Sequence, residues 1–483
     1  MASTTLPIAA RPGILAPALP FLVAAAVYVL LLLAGEKLLN DADTWWHIAS
    51  GNWILANGFP HADPFSFTFA GKPWIAKEWL SQIAYAEAFR LAGWTGVVVL
   101  AATAIALAFG LLTHALRGSL TGLPAVAMVA IAFMLVAPHA TARPHALALP
   151  VLVAWAAGLA RAADRQKAPP YALLLLMVAW ANLHAGFTFG ILLVAAFGLD
   201  AVATAPPADH RRLALAWVRF GVLTLVAACI TPYGPQSMLM TGTVLGLGPA
   251  LSVISEWRPA DFATVGPLEL ALVAGIGFVL WRGVTLPPVR ILILLGLVHM
   301  ALSADRNTEL LGLIAPLVVA GPLARQFPIL RAAQSAPSFI GGALLAALAI
   351  PVTALLAGLA AYQPSPANAP TAALAALKAT NATHVLNDYN FGGYLIAAGV
   401  PTFIDGRTEL FGADFLLRYV RDMRLENIPD LLKLLDDEKI DATLLMPSTP
   451  AAAFLDRLPG WKRLYADSTA VVYVRLSLRG TLN

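Results

Sequence analysis

The chain has little of what soluble, disulfide-bonded or nucleic-acid-binding proteins are built from. A single cysteine, Cys229, stands among 483 residues. That excludes an intrachain disulfide and a cysteine-based metal centre. Asp, Glu, Lys and Arg together make up 12%, about half of the roughly 25% usual in soluble domains. So little charge cannot coat a soluble globule of this length. The formal net charge is only +4, and no basic cluster with interleaved aromatics occurs, so nucleic acid is not expected as a partner. No internal repeat is visible, which removes one sign of a secondary transporter.

Apolar residues fill the gap, at 59%. A spanning helix needs about 20 mostly apolar residues. Windows of that kind fall at 12–35, 94–116, 122–138, 145–162, 170–184, 187–206, 213–231, 266–281, 289–303, 309–324 and 339–361. The expected fold is a polytopic α-helical membrane protein of about eleven spans. The first span has too long an apolar core for a cleaved signal peptide. With the N-terminus inside, the inner segments carry Arg11, Arg117, Arg161, Arg165, Lys167, Arg211, Arg212, Arg219, Arg282, Arg290, Arg325 and Arg331. The short outer loops carry only Arg143, Arg258 and Arg306. Lys and Arg collect on the cytoplasmic side, so the N-terminus is expected inside and the tail after residue 361 outside. Abundant Ala, Leu, Gly and Pro fit a bacterial chain, hence an inner membrane and a periplasmic tail.

Composition changes near residue 362. The stretch Gln363–Asn368 reads as a linker between a membrane domain, 1–361, and a soluble domain, 362–483. Apolar runs at 384–386, 402–404, 441–446 and 470–475 predict strands. Segments 370–380, 411–424 and 428–438 predict helices. The pattern implies a small extracytoplasmic α/β domain.

Ionisable residues beside apolar runs are costly to bury in lipid and are therefore informative. They crowd on the outer face: Asp41, Asp43 and His47; Arg143 and His145; Asn182 and His184; Glu256, Trp257 and Arg258; Asp305, Arg306, Asn307 and Glu309. The first outer loop, 36–93, is the richest. Asp43 and His47 lie four apart, on one face of a helix. Asp41-Ala42-Asp43 has the ligand chemistry for a divalent cation, Mg or Mn; alternatively, Asp43 is a helix N-cap. Gly58-Phe59-Pro60 and Gly71-Lys72-Pro73 are turn signals, and Glu78 opens a second amphipathic helix. Trp45, Trp46, Trp74 and Trp79 are suited to a sugar ring or to membrane lipid. In the tail, Asp405-Gly406-Arg407 is either an acceptor-binding segment or an internal ion pair.

At these residues the chain resembles the integral-membrane glycosyltransferases of the GT-C fold, closest to the branch of protein O-mannosyltransferases and aminoarabinose transferases. The resemblance covers about residues 12–200, and the motifs lie in the first loop: Asp41-Ala42-Asp43, Trp46, His47, Gly51, Gly58, Pro60, Lys72-Pro73 and the helix from Glu78 to Gly93. That family usually shows Asp-Glu followed by Tyr, whereas here Thr44 follows Asp43. Arg143-Pro144-His145, Asn182-Leu183-His184 and Asp405-Gly406-Arg407 are similar to an uncharacterised bacterial membrane-protein group. The resemblance implies a polyprenyl-phosphate-linked sugar donor, a glycan, lipid or protein acceptor, and inverting displacement without a covalent sugar intermediate. It implies an acidic base: Asp43, with Asp41 orienting it or sharing a metal, and Glu78 as the other candidate. Cationic groups would hold the departing phosphate: Arg143 and Arg306, helped by Lys72, His145 and His184. His47, Arg258, Asp405 and Arg407 complete the expected binding residues. The alternatives are a transporter or flippase, a non-catalytic assembly protein for lipid-linked envelope glycans, and another membrane enzyme such as an acyltransferase.

Overall fold

The computed structural model describes residues 18–331 and 339–476. Arg11 and residues 12–17 of the first expected span lie outside them. The first part of the chain is helical: α1 (Leu19–Leu33), α2 (Gly35–Leu38), α3 (Asp43–Asn57), α4 (Trp79–Arg117), α5 (Gly122–Val136), α6 (Pro144–Asp164) and α7 (Leu173–Leu183). Then follow α8 (Phe187–Thr204), α9 (His210–Ala228), α10 (Gln236–Leu245), α11 (Pro267–Arg282), α12 (Pro288–Ser303), α13 (Thr308–Gln326) and α14 (Phe339–Leu359). Each of the eleven apolar windows holds one of these helices. By length and composition, α4, α5, α6, α8 and α13 are fit to cross a membrane. The apolar helices α1, α7 and α12, and the second half of α14, are shorter. An α-helix rises about 1.5 Å per residue, so α7 alone covers about half of a hydrocarbon core of ~30 Å. The chain is a multi-pass membrane protein.

Local chemistry sets the helix ends. Proline, whose fixed φ suits the first helical turn, opens α6, α11 and α12. The surface helix of the first loop runs into the following span as the single element α4, broken only at Ala92 and Gly93, where Gly93 takes φ +58°. α4 is the central element, packed by α1, α3, α5, α6, α7 and α13.

One buried ionic cluster ties four helices together at the ends remote from the outer-loop residues. Arg290, at the start of α12, donates to Asp200 of α8 at 2.9 Å, to Asp164 of α6 at 2.8 Å and to the Val318 carbonyl of α13 at 2.9 Å. Arg325 of α13 also reaches Asp164, at 3.0 Å. Arg290, expected as an exposed loop charge, is instead among the most deeply buried side chains. Its attraction to two carboxylates and a carbonyl offsets the cost of desolvation.

The C-terminal part contains α15 (Thr371–Lys378), α16 (Gly392–Ala397), α17 (Thr408–Met423), α18 (Ile428–Asp437) and α19 (Pro450–Leu455). Its strands are β1 (Val385–Asn387), β2 (Ala442–Leu445), β3 (Trp461–Ala466) and β4 (Val471–Arg475). They form one mixed sheet in the order β1-β2-β4-β3, with β1 and β2 parallel and the other pairs antiparallel. α16 and α19 were not expected, and the strands depart from the sequence expectation at two places. Residues 402–404 are not in the sheet: the Thr402 N–H donates to the Phe65 carbonyl and Phe67 N–H to the Thr402 carbonyl, so this run pairs with the first loop. The edge strand β3 was not expected, because its Lys462, Arg463 and Leu464 are exposed and leave no apolar run to find. The apolar core under α17 takes in Leu247 and Ala250 and is covered by Phe67 and Phe69 of the first loop.

Replacing Arg290 by methionine leaves Asp200 buried without a cation. Thermal unfolding in detergent is expected to show a loss of about 3–5 kcal/mol. Pairing that change with Asp200→Asn should recover part of the loss.

Candidate active site

Most of the outer-loop ionisable residues line one cavity of about 660 Å³. The short chain between α2 and α3 supplies Asp41, and α3 opens on Asp43. The Asp41 side chain accepts the Asp43 N–H at 2.9 Å, which turns the chain into α3. Asp43 is the first residue of α3, whose N-cap is Ala42 and not Asp43, and it lines the cavity. Arg143 comes from the extended residue before Pro144. Its backbone is anchored on three sides: the Ala142 N–H donates to Leu38 at 2.7 Å, Thr44 Oγ1 to the Ala142 carbonyl at 3.1 Å, and Tyr85 Oη to the Arg143 carbonyl at 3.0 Å.

The Arg143 guanidinium lies among three carboxylates. Its Nη2 is 2.8 Å from Asp43, and Nη1 is 3.3 Å from Asp41 and 2.8 Å from Glu256. The second Glu256 oxygen accepts from Arg306 Nη1 at 2.8 Å, and Arg306 sits over the Trp257 ring at 4.7 Å. Burial would raise the Glu256 carboxyl, but Arg143 and Arg306 outweigh it and hold the group down at about 2. Asp43 goes the other way. Burial dominates, Asp41 and Glu256 add repulsion, and Arg143 offsets only part of this, so its carboxyl is pushed up to about 7.

A second group of acids and imidazoles faces the first. His184 Nδ1 accepts the Gly186 N–H at 3.1 Å, which leaves Nε2 as the protonated nitrogen, 3.5 Å from Glu78. Burial holds the His184 imidazole well below its ordinary value and raises the Glu78 carboxyl. His145 Nε2 bonds to the His139 carbonyl at 3.1 Å and stands 3.9 Å from Glu309. His47 is buried beneath Trp46 and 3.4 Å from Gln82.

The remaining walls differ in character. One is apolar, made of Leu149 and Leu152 of α6, Phe189 and Leu192 of α8, Met300 of α12 and Leu310 of α13. Leu192 is 65% exposed, so this apolar wall reaches the outer surface of the helices. The other is C-terminal and includes Asn368, Tyr389, Asn390, Gly406, Thr408 and Glu409. Glu409 forms an ion pair with Lys77. Burial would lower the Lys77 ammonium, but Glu409 and Glu78 raise it overall.

Asp405 and Arg407 do not line the cavity. Arg407 is fully buried between Asp405, at 2.7 and 2.8 Å, and Asp63 of the first loop, with its guanidinium over Phe65 and Trp74. This ion pair reaches across from the tail to the first loop. It presses Gly406 onto Asp43, where any Cβ would overlap the carboxylate. Lys72 and Arg258 are exposed and outside the cavity. Lys72 contributes backbone bonds to a turn, and Arg258 bonds to the Ser252 carbonyl at 3.3 Å. Of the first-loop tryptophans, Trp46 lines the cavity, whereas Trp45 packs edge-on against Trp94 and Tyr394, and Trp79 Nε1 donates to Asn182 at 2.7 Å. Sequence reasoning did not select Lys77, Glu256, Glu309 or Glu409 as site residues. The signal for Glu256 and Glu309 was their place beside apolar runs on the outer face. For Lys77 and Glu409 there was none, since each is explained only by the other.

Among the described residues, no group of three or more His, Cys, Asp or Glu side chains could hold a metal ion. Asp41 and Asp43 do not fit a shared cation as they stand, because Arg143 binds an oxygen of each.

No family model and no curated protein matches the chain. Among solved structures it is similar to the archaeal oligosaccharyltransferase AglB from Archaeoglobus fulgidus, in complex with an inhibitory peptide and a dolichol-phosphate. The TM-score is 0.53 at 12% identity, over 96% of this chain and 74% of that one. An oligosaccharyltransferase of the same organism, in complex with Zn and sulfate, gives 0.49 at 12% identity over the same shares. The first of these likenesses shows the fold: the chain has a GT-C-like architecture.

Arg407→Met should strand two buried carboxylates. A stability loss of about 3–5 kcal/mol is expected in thermal unfolding, with faster proteolytic cleavage at 363–370 as the tail loosens from the first loop.

Proposed function

We propose that the chain is a membrane glycosyltransferase that moves a sugar from a lipid-linked, phosphate-bearing donor to an acceptor hydroxyl outside the cytoplasm. One observation carries this reading: a single cavity has charged residues and an apolar wall that reaches the outer surface of the helices at Leu192. A water-soluble nucleotide sugar has no use for the Leu149, Leu152 and Leu192 wall. A polyprenyl chain would lie there and leave its phosphate and sugar among the charged residues. The GT-C-like fold supports the same reading, as does the dolichol-phosphate in the AglB complex.

In the proposed reaction, Asp43 takes the proton from the acceptor hydroxyl. The acceptor oxygen attacks the anomeric carbon from the face opposite the phosphate. The bond from that carbon to the phosphate oxygen breaks, and its electron pair leaves with the phosphate. The configuration inverts and no sugar–enzyme bond forms. Arg306 and Lys77 meet the developing phosphate charge. Arg306 gives only Nη1 to Glu256, so its remaining N–H groups are available to a bidentate oxyanion. His184, held neutral by burial, and His145 are donors or acceptors for sugar hydroxyls, and Glu78 orients His184. The acceptor approaches along Tyr389, Asn390 and Thr408, so the C-terminal part is a wall of the site as well as a soluble domain beginning near residue 362. All eleven apolar helices are proposed to cross or enter a bacterial inner membrane, the shorter ones tilted or half-inserted, with the cavity facing the periplasm.

The test is sugar release from a panel of polyprenyl-phosphate sugars with candidate acceptors. Asp43→Asn is expected to lower turnover by roughly 10²–10⁴-fold while leaving donor binding intact. Equal turnover in the variant would move the base to Asp41 or Glu78. Donor binding without turnover for any donor and acceptor would favour transport or assembly instead. Because the Asp43 carboxyl sits at about 7 and must be ionised to act as base, kcat/KM should rise with pH and level off above about 7. Below that value it should fall about tenfold per pH unit, and Glu256, held at about 2, should contribute no break in the range.

A further inference from the structure

An Asp-X-Asp pair at the head of a surface helix has the chemistry of a divalent-cation ligand, yet in this chain another cation already holds it. Asp41, Asp43 and Glu256 come from two separate stretches of chain and converge on the guanidinium of Arg143 at 2.8 to 3.3 Å. We infer that Arg143 is a built-in cation that takes the place of a divalent metal, so that the site fixes Asp41 and Asp43 and works without Mg²⁺, Mn²⁺ or Zn²⁺.

Two observations carry this. The first is which oxygens are used. Arg143 Nη1 takes Asp41 Oδ2 and Glu256 Oε2, and Nη2 takes Asp43 Oδ2. Mg²⁺ needs oxygens at about 2.0–2.1 Å in octahedral array, so it would have to draw in these same atoms and expel the guanidinium. The second is that Arg143 has nowhere to go. Its backbone and that of Ala142 are held by Leu38, Thr44 and Tyr85. Displaced from its carboxylates, the half-buried guanidinium would be left without counter-charge. A planar fork can also hold carboxylates in fixed directions, which is the orienting service a metal would otherwise give Asp43.

The consequence is testable without knowing the donor or acceptor, and the binding readout does not rest on the transferase reading. Mn²⁺ would be titrated into the full-length protein in detergent and followed by electron paramagnetic resonance, with native, Asp43→Asn, Arg143→Ala and Arg143→Gln chains. The native chain is expected to show no saturable Mn²⁺ site that depends on Asp43. Arg143→Ala, or Arg143→Gln should the alanine variant unfold, is expected to gain one, since three carboxylates are then left facing each other. Saturable Mn²⁺ binding by the native chain that disappears in Asp43→Asn would overturn the inference. So would the failure of a folded Arg143 variant to gain a site. If transfer is found, EDTA should leave native turnover unchanged, and a fall restored by Mn²⁺ would also overturn it. A failed transfer assay alongside the expected Mn²⁺ results would remove the proposed reaction and leave this assignment standing.

Discussion

Charge at the edge of an apolar bundle has to be neutralised within the protein, and the contact of Arg143 with Asp41, Asp43 and Glu256 is where this chain does so. The three carboxylates come from the loop before α3, the first residue of α3 and the segment after α10. Without a cation between them they would repel one another in a setting too dry to screen the repulsion. With it, the start of α3, the start of α6 and the chain ahead of α11 are drawn to one point. Arg306 extends the same network by one ion pair and one aromatic face. The cavity is the space this network leaves beside the apolar walls of α6 and α8.

The same rule explains how the C-terminal part is fastened. Arg407 is buried with a carboxylate from its own segment and another from the first loop, so it ties the two segments together. Backbone bonds between Phe65, Phe67 and Thr402 run alongside, and Phe69 packs on Phe411 and Phe415. Glycine at 406 lets the backbone approach Asp43 more closely than any side chain would allow. Structural ion pairs and cavity residues thus alternate along one short run: Asp405 and Arg407 hold, while Gly406, Thr408 and Glu409 face the cavity.

The opposite ends of the helices show the contrasting use of charge. Arg290, Asp200, Asp164 and Arg325 pair with one another, although Asp200 Oδ1 is buried without a hydrogen-bond partner. In the candidate site, by contrast, Asp43 is pushed up to about 7 and lines a cavity. Groups held away from their resting ionisation are the ones suited to proton transfer, and they are gathered at one end of the bundle.

The sequence by itself determined what depends on local composition. Apolar windows located the helices, because lipid selects continuous runs of apolar residues. The acids, histidines and arginines of the expected outer loops pointed to the face that carries the candidate cavity. Asp41, Asp43, Glu78, His47, Arg143, His145, His184 and Arg306 were legible because each is an ionisable group beside such a run. Only the tertiary structure decided which of these charges meet. Arg143 lies about a hundred residues from both Asp41 and Glu256, and nothing local marks it as the group that fills an Asp-X-Asp pair. Lys77 with Glu409, and Asp63 with Arg407, pair over more than three hundred residues, so each looked like a solvated surface charge. Lys72 and Arg258 had the same local character as the site residues and were left outside, for a cavity is defined by how helices cross, and the distances that decide pairing exist only after they have packed.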